Sequence, residues 1–359
     1  MRIENILKII ILLLGYLLGL SGCEKITSPL QMESAPPKTV SPLTVMTYNV
    51  YLGSSTDAVL GVEHLVEVPT AVAKVYDTFI ASDFPGRAAV IAASIATHRP
   101  HLIGLQEMSL IRQQFPGDRI LGGSLPAEEV VMDFRTVLID ALTAAGEDYR
   151  IVAEVENIDV EMPMFSDEGI VDVRLTDYDV ILARSDVGIT DVVYVNYTAA
   201  FGVEKLGLLV KRGYAAVDAM VEGVTYRFVN THLESFNQEV RVAQTHELIE
   251  HLSEETFPIV LLGDFNTPAP NGTAYQILMG AGYVDTWQKD TIGNTCCQQE
   301  DLRNEVSEHT RRIDQIFVGN SKSEIRVLMT QTVGDTPSDR STSGVWSSDH
   351  SGVVAQLLF

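Results

Sequence analysis

Short apolar runs, each stopped by a polar residue, set the rhythm of this chain. Leu43–Asn49 (LTVMTYN) alternates loosely and ends on Asn49, and His101–Leu105 is followed by Gln106 and Glu107. Thr225–His232 (TYRFVNTH) ends on His232, and Ile259–Leu262 runs into Gly263-Asp264-Phe265-Asn266. Arg312–Val318 carries Asp314 near its start, and Ser351–Leu358 follows Ser348-Asp349-His350. Runs of this length predict strands. Arg150–Val155, Asp179–Ala183, Val203–Val210 and Tyr214–Val221 read the same way.

Between them, Glu63–Ile80, Ala88–His98, Glu128–Ala145 and Gln238–Leu252 show helical spacing, with Pro100 and Gly146 as stop signals. Phe115–Pro126 and Asp285–Ser307 read as loops, and Asn157–Thr176 as an acidic, irregular surface excursion. Many strands with intervening helices predict an α/β (α+β) protein of two packed sheets with helices outside.

The N-terminus departs from this rhythm. Arg2 and Lys8 precede the apolar run Ile9–Leu20, which is short for a spanning helix, and Leu20-Ser21-Gly22-Cys23 follows. This order is that of an export signal, and Leu-Ser-Gly-Cys resembles the bacterial lipoprotein cleavage box. The resemblance implies a signal peptide over residues 1–22, lipidation of Cys23 and a Pro-bearing tether over 23–42. The expected location is the bacterial cell envelope, membrane-anchored and facing the periplasm or the exterior. The folded domain is then 43–359. Only Cys296 and Cys297 remain, and being adjacent they read as two small side chains packed in a loop, with a vicinal disulfide as the alternative in an oxidising compartment.

Composition changes the picture in two ways. With 359 residues, 46% of them hydrophobic, the chain can bury a sizeable core. Its formal net charge of −23 disfavours nonspecific wrapping of nucleic acid.

The residues that stop the runs are the ones phosphate-ester hydrolysis needs. Carboxylates stand at Glu107, Asp264, Asp314 and Asp349, carboxamides at Asn49 and Asn266, and imidazoles at His232 and His350. Hydrolysis requires a cation to polarise phosphoryl oxygens, a base to aim water, and donors for the developing charge. Magnesium asks for only one or two carboxylates.

Taken in order, Tyr48-Asn49, Gln106-Glu107, Thr231-His232-Leu233, Gly263-Asp264-Phe265-Asn266, Arg312-Ile313-Asp314 and Ser348-Asp349-His350 resemble the endonuclease/exonuclease/phosphatase (DNase I-like) superfamily. The resemblance spans Leu43 to the C-terminus. It implies a four-layered α/β/β/α sandwich of two mixed sheets, and Mg2+ (or Mn2+) held by Glu107 with Asn49 and Asp349. It implies that Asp264 orients or deprotonates the attacking water, with Asn266 holding water and phosphate. It gives His350, oriented by Asp314, and His232 contacts to the phosphate. The partners expected are a phosphate-ester substrate (small molecule, lipid head group or nucleic acid) and, through the lipid anchor, a membrane; no protein partner is evident.

Glu234 reads as a surface residue, Arg311 and Arg312 as a solvated pair, and the remaining histidines as structural or surface residues. Gly352 stands where many members carry Pro, and Gln315 where an aromatic residue often follows Arg-Ile-Asp. The segments Gly53–Pro85, Arg112–Pro126 and Asn157–Thr176 are expected to shape the substrate mouth. The activity expected is a phosphodiesterase. A secreted nuclease is the alternative, and a non-catalytic binding protein the lesser one.

Overall fold

The computed structural model describes residues 41–321 and 324–359. The expected signal peptide, Cys23 and nearly all of the tether lie outside the described residues.

Alternation along the strands builds two sheets face to face. One runs Arg326–Val333, Gly352–Leu358, Leu43–Asn49, Leu102–Gln106, Gly169–Arg184, Leu110–Gln114, Glu129–Asp133, with Tyr149–Ser166 also paired to Gly169–Arg184. The other runs Val284–Asp285, Asp314–Gly319, Ile259–Asp264, Val224–His232, Gly213–Val221, Gly188–Asn196. Both are mixed: Leu43–Asn49 is parallel to Leu102–Gln106, Val224–His232 is parallel to Ile259–Asp264, and the other pairings are antiparallel.

Successive side chains point to opposite faces, so each strand feeds two cores. Val45, Leu102, Ile181, Val217, Phe228, Val260, Leu262 and Ile316 fill the space between the sheets. Met46, Tyr48, Ile103 and Leu105 face outward and pack under the helices Phe84–His98 and Phe134–Ala144. Val229, Ile259, Leu261 and Phe317 do the same under Gln238–His251 and Thr273–Gly280. The result is the expected four-layered sandwich.

Some local expectations are corrected. Glu128–Ala145 is a strand, Glu129–Asp133, followed by a helix, Phe134–Ala144. The strand Leu110–Gln114 offers Glu129–Asp133 a partner at the sheet edge, and the Asp133 side chain caps the helix by accepting from Arg135 N. Asn157–Thr176 is ordered: it is the outer part of a long hairpin, Tyr149–Ser166 with Gly169–Arg184. Its acidic residues alternate with apolar ones, and Val160 lies opposite Leu175 and Met162 opposite Val173. The expected strand Val203–Val210 is instead part of a two-stranded ribbon, Phe201–Val203 with Leu208–Val210, interrupted by a 3-10 turn. The strands Gly188–Asn196 and Arg326–Val333 and the helix Thr273–Gly280 were not anticipated. Cys296 and Cys297 are joined in a disulfide, the alternative to the two packed side chains that the sequence reading put first; backbone bridges of Cys296 to Arg311 and His350 hold this segment in place.

Candidate active site

The side-chain period that fills the core also gathers the site. Val45, Thr47 and Asn49 share one face of their strand; Phe228, Asn230 and His232 share another, as do Val260, Leu262 and Asp264, and Val318, Ile316 and Asp314. In each case the apolar members lie between the sheets, and the polar residue is the next position on that inward face. Register then sets them side by side: His232 opposite Asp264, Asp264 opposite Asp314, and Asn49 opposite Gln106. Asn49, His232 and Asp264 sit at the carboxyl ends of parallel strands, a usual place for a ligand crevice.

Asp264 is the hub. Its Oδ2 accepts from Asn49 Nδ2 at 3.2 Å and lies 3.5 Å from His232 Nε2 and 4.0 Å from His350 Nε2. Its Oδ1 accepts from the Asn266 backbone N at 2.8 Å, and Asn266 Nδ2 donates to Leu233 O at 2.9 Å. Asn266 has φ 49°, a left-handed conformation that asparagine tolerates better than most residues.

Asn49 Nδ2 also donates to Glu107 Oε1 at 2.9 Å, tying the two sheets through one amide. Glu107 Oε2 accepts from Leu52 N at 2.6 Å. Its φ of 62° turns the chain out of the strand after Gln106. Asp349 lines the same cavity as Glu107. Burial, then the neighbouring Glu107 and Asp314 carboxylates, push its pKa up to about 7 against the opposing His350 and Arg87.

His350 Nδ1 and Asp314 Oδ2 are 2.8 Å apart. Burial works against an imidazolium here, but Asp314, Asp349 and Asp264 outweigh it and hold the His350 pKa well above its ordinary value. His232 follows the same logic less strongly. Burial and the Arg212 cation oppose its charge, Asp179 and Asp264 favour it, and the balance raises its pKa. Arg212 Nη1 stands 3.0 Å from His232 Nδ1, a bond the neutral ring accepts, while the protonated ring faces Asp179 Oδ1 at 3.6 Å.

The structure therefore brings together Asn49, Glu107, His232, Asp264, Asn266, Asp314, Asp349 and His350. Glu234 is buried, not on the surface; Oε1 accepts from Phe236 N, and it does not bond His232. Arg312 is likewise buried, paired with Asp285 at 2.6 Å, whereas Arg311 is exposed. Gln315 donates to the Thr267 and Arg312 carbonyls at 2.8 and 3.2 Å, bracing the turn after Asp264. At Gly352 a Cβ would press on the Tyr48 ring. His309 is a neighbour of the site: Nε2 lies 3.1 Å from the Asp349 carbonyl and Nδ1 2.9 Å from Ser351 Oγ.

Several residues were missed. Asn230 accepts from Gln106 Nε2 at 2.6 Å and donates to the Leu105 and Val180 carbonyls at 3.0 Å, stitching the sheets beneath the site. At Gly104 a Cβ would run into Asn230 and Leu262, so glycine permits this approach. Asp177 and Asp179 continue the inward face of Ala183 and Ile181. Burial, with Asp179 and Glu107, raises the Asp177 pKa to about 6. Arg87 is fully buried and donates to the carbonyls of Val50 (2.6 Å), Tyr51 (3.1 Å), Ser82 (3.0 Å) and Ser347 (3.1 Å). It clamps the chain after Asn49 to the chain before Asp349. A polar residue on the next inward position of an apolar strand was a signal for Asn230, Asp177 and Asp179; Arg87 carried none.

The hard oxygen donors gathered here suit a small divalent cation. Glu107 and Asp349 repel one another, which a cation would relieve. A second grouping, Asp264, Asp314 and His350, has ligand atoms within 4.8 Å of one another, and Asp314 Oδ1 is buried without a hydrogen bond.

The profile of the Endonuclease/Exonuclease/phosphatase family matches residues 46–350. Comparison with curated protein sequences finds no match. Among solved structures, a mannosyl-6-phosphatase from Bacteroides thetaiotaomicron VPI-5482 superposes with a TM-score of 0.57 at 19% identity, covering 88% of this chain and 100% of that one. A family protein from Beutenbergia cavernae DSM 12333 gives 0.55 at 21%, covering 88% and 71%. A humanized D. rerio TDP2 gives 0.52 at 16%, covering 89% and 99%. At such identities these likenesses speak for the fold, and with the family match over most of the chain they place it: the protein belongs to the endonuclease/exonuclease/phosphatase family.

Proposed function

We propose that this protein is a divalent-metal-dependent phosphoesterase, exported and tethered to the bacterial cell envelope through a lipidated Cys23. Family membership supports the coarse activity, hydrolysis of phosphate esters. The observation that carries the finer reading is the meeting of Asn49, His232 and His350 on one carboxylate oxygen of Asp264.

In this reading, Asp264 holds the attacking water and accepts its proton as the water oxygen bonds to phosphorus. The ester P–O bond breaks on the opposite side, the leaving alkoxide takes its proton from a solvent water, and Asp264 returns its proton to solvent. Asn266, through its backbone N–H, fixes the rotation of the Asp264 carboxylate. His350, kept charged by Asp314, donates from Nε2 to a phosphoryl oxygen, and His232 donates from the other side. Mg2+ or Mn2+ held by Glu107 and Asp349, with Asn49 beside them, would neutralise phosphoryl charge.

The test is a panel assayed with Mg2+ and with EDTA: bis(4-nitrophenyl) phosphate, a sugar phosphate, and linear DNA. EDTA-sensitive cleavage of the small diester is the expected result. Cleavage of DNA alone would replace this reading with a nuclease, and magnesium-independent turnover would remove the metal. Membrane fractionation of Cys23→Ser checks the tether; a variant still found in membranes would overturn it.

A further inference from the structure

A cavity of about 550 Å³ opens beside the strand-end cluster, within the roughly 300–1,000 Å³ range of small-ligand pockets. Its polar end is formed by Glu107, Asp177, Asp349 and Arg212. Much of the rest is built by two excursions from the sandwich, and loop residues including Ser54, Ser55, Thr56 and Gln298 complete the rim. The helix Val68–Ala81 contributes Val72, Val75 and Phe79, and the outer hairpin contributes Val160, Met162 and Leu175.

The hairpin sorts its side chains by face. Beyond the register shift at Glu156/Ile158, Val160 and Met162 turn to the cavity opposite Leu175 and Val173. Asp159 and Arg174, on the other face, pair with each other. The apolar faces of helix and hairpin meet in a small cluster, Val72 with Met164 and Val171, but part before the site. There Val75, Val160, Met162 and Leu175 stay partly exposed to the cavity. Half-buried aliphatic side chains lining a concave wall are an unfilled hydrophobic surface.

This wall argues against two kinds of phosphoester. Sugar hydroxyls placed against it would lose hydrogen bonds to water and find no partners there. A nucleic acid needs several cations for its phosphates, and among the described residues Arg212 is the single basic one lining the cavity, against Asp57, Glu107, Asp177, Glu300 and Asp349. A single phosphate group at the polar end with an aliphatic arm along the wall satisfies both halves.

The geometry points to a phosphoester with a long aliphatic arm as the substrate class, its arm lying between the helix Val68–Ala81 and the outer hairpin. This inference rests on the phosphoesterase reading and deepens it.

The test uses the full chain with Mg2+ and 4-nitrophenyl alkyl phosphates, the alkyl arm running from ethyl to octyl. Water adds to phosphorus, nitrophenolate leaves, and the alkyl phosphate remains. Each buried methylene should raise kcat/KM about fourfold, so burying about three to four of the roughly six extra methylenes should give octyl about a hundredfold advantage over ethyl. Val160→Trp, which fills the cavity, should remove about tenfold or more of the octyl advantage and leave the ethyl ester within about twofold. A flat chain-length profile in the wild type overturns the inference while leaving the phosphoesterase intact. If no ester turns over, calorimetry with octylphosphonate and ethylphosphonate decides: tighter octyl binding by about a hundredfold, with a negative heat-capacity change, upholds the cavity's role, and equal affinities overturn it. Presenting the octyl ester in phosphatidylcholine vesicles separates the sources of the arm: faster turnover there assigns bilayer-held substrate, faster turnover in solution a free amphiphile.

Discussion

The strand-end cluster and the apolar wall beside it are held by different forces. The cluster is fixed by sheet register and by hydrogen bonds that cross between sheets, Asn49 to Asp264 and Asn230 to Leu105 and Val180. The wall is fixed by packing of a helix against a hairpin, Val72 near Met164 and Val171. Directional bonds hold atoms to the few tenths of an ångström that proton transfer requires. Packing sets a volume and a polarity, which is enough to choose an arm but not to aim a proton. In the reading proposed above, chemistry is tied to the sandwich and selection to the excursions from it.

That contrast can be broken from either side. The largest effect should follow loss of the hub: Asp264→Ala and His350→Ala should each lower kcat by about 10²–10⁴ with circular dichroism unchanged. Activity near wild type in either would undo their roles. Next comes the clamp. Arg87→Met leaves the Val50, Tyr51, Ser82 and Ser347 carbonyls short of a donor, each costing roughly 1–3 kcal/mol, partly offset by removing a buried charge. A net loss of about 3 kcal/mol in urea unfolding is expected, with activity falling alongside; a stable, active variant would show that the strand ends hold without it.

The cation should then compete with a proton. The Asp349 carboxyl, raised to about 7 chiefly by burial, must ionise to bind metal, so affinity for Mn2+ should be full well above that pH and fall about fivefold from pH 7 to pH 6. Calorimetry in buffers of different ionisation enthalpy should register proton release; a pH-independent affinity would take Asp349 out of the metal site. The smallest effect belongs to the wall. Val72→Ala should cost about 1–2 kcal/mol of stability while leaving kcat for a short ester within about twofold. A large fall in kcat with the fold intact would mean that wall and cluster are coupled.

Legibility followed the same division. Asn49, Glu107, Asp264 and His350 could be read because each stands beside a run whose period already fixes its strand, and for Asn49 and Asp264 the inward parity that buries Val45 or Leu262 continues to the polar residue. The same parity was available for Asn230, Asp177 and Asp179 and went unread, because an Asn inside TYRFVNTH has no motif of its own. The hairpin was taken for irregular structure, since its acidic outer face masks the alternating apolar one. Arg87 could not be read at all: its partners are four carbonyls from three separate segments, and a carbonyl has no signature in the residue it belongs to.

Sequence alone determined which residues would face inward and which chemistry stood at the end of each strand, since side-chain direction follows from local backbone geometry with a period of two. Tertiary structure alone decided that His232, Asp264 and Asp314 lie abreast, that Asn49 reaches across to them, and that an aliphatic wall opens at their side. Those outcomes depend on which strands pair, in which register, and on how far helix and hairpin part, and such long-range choices are made by the packed whole.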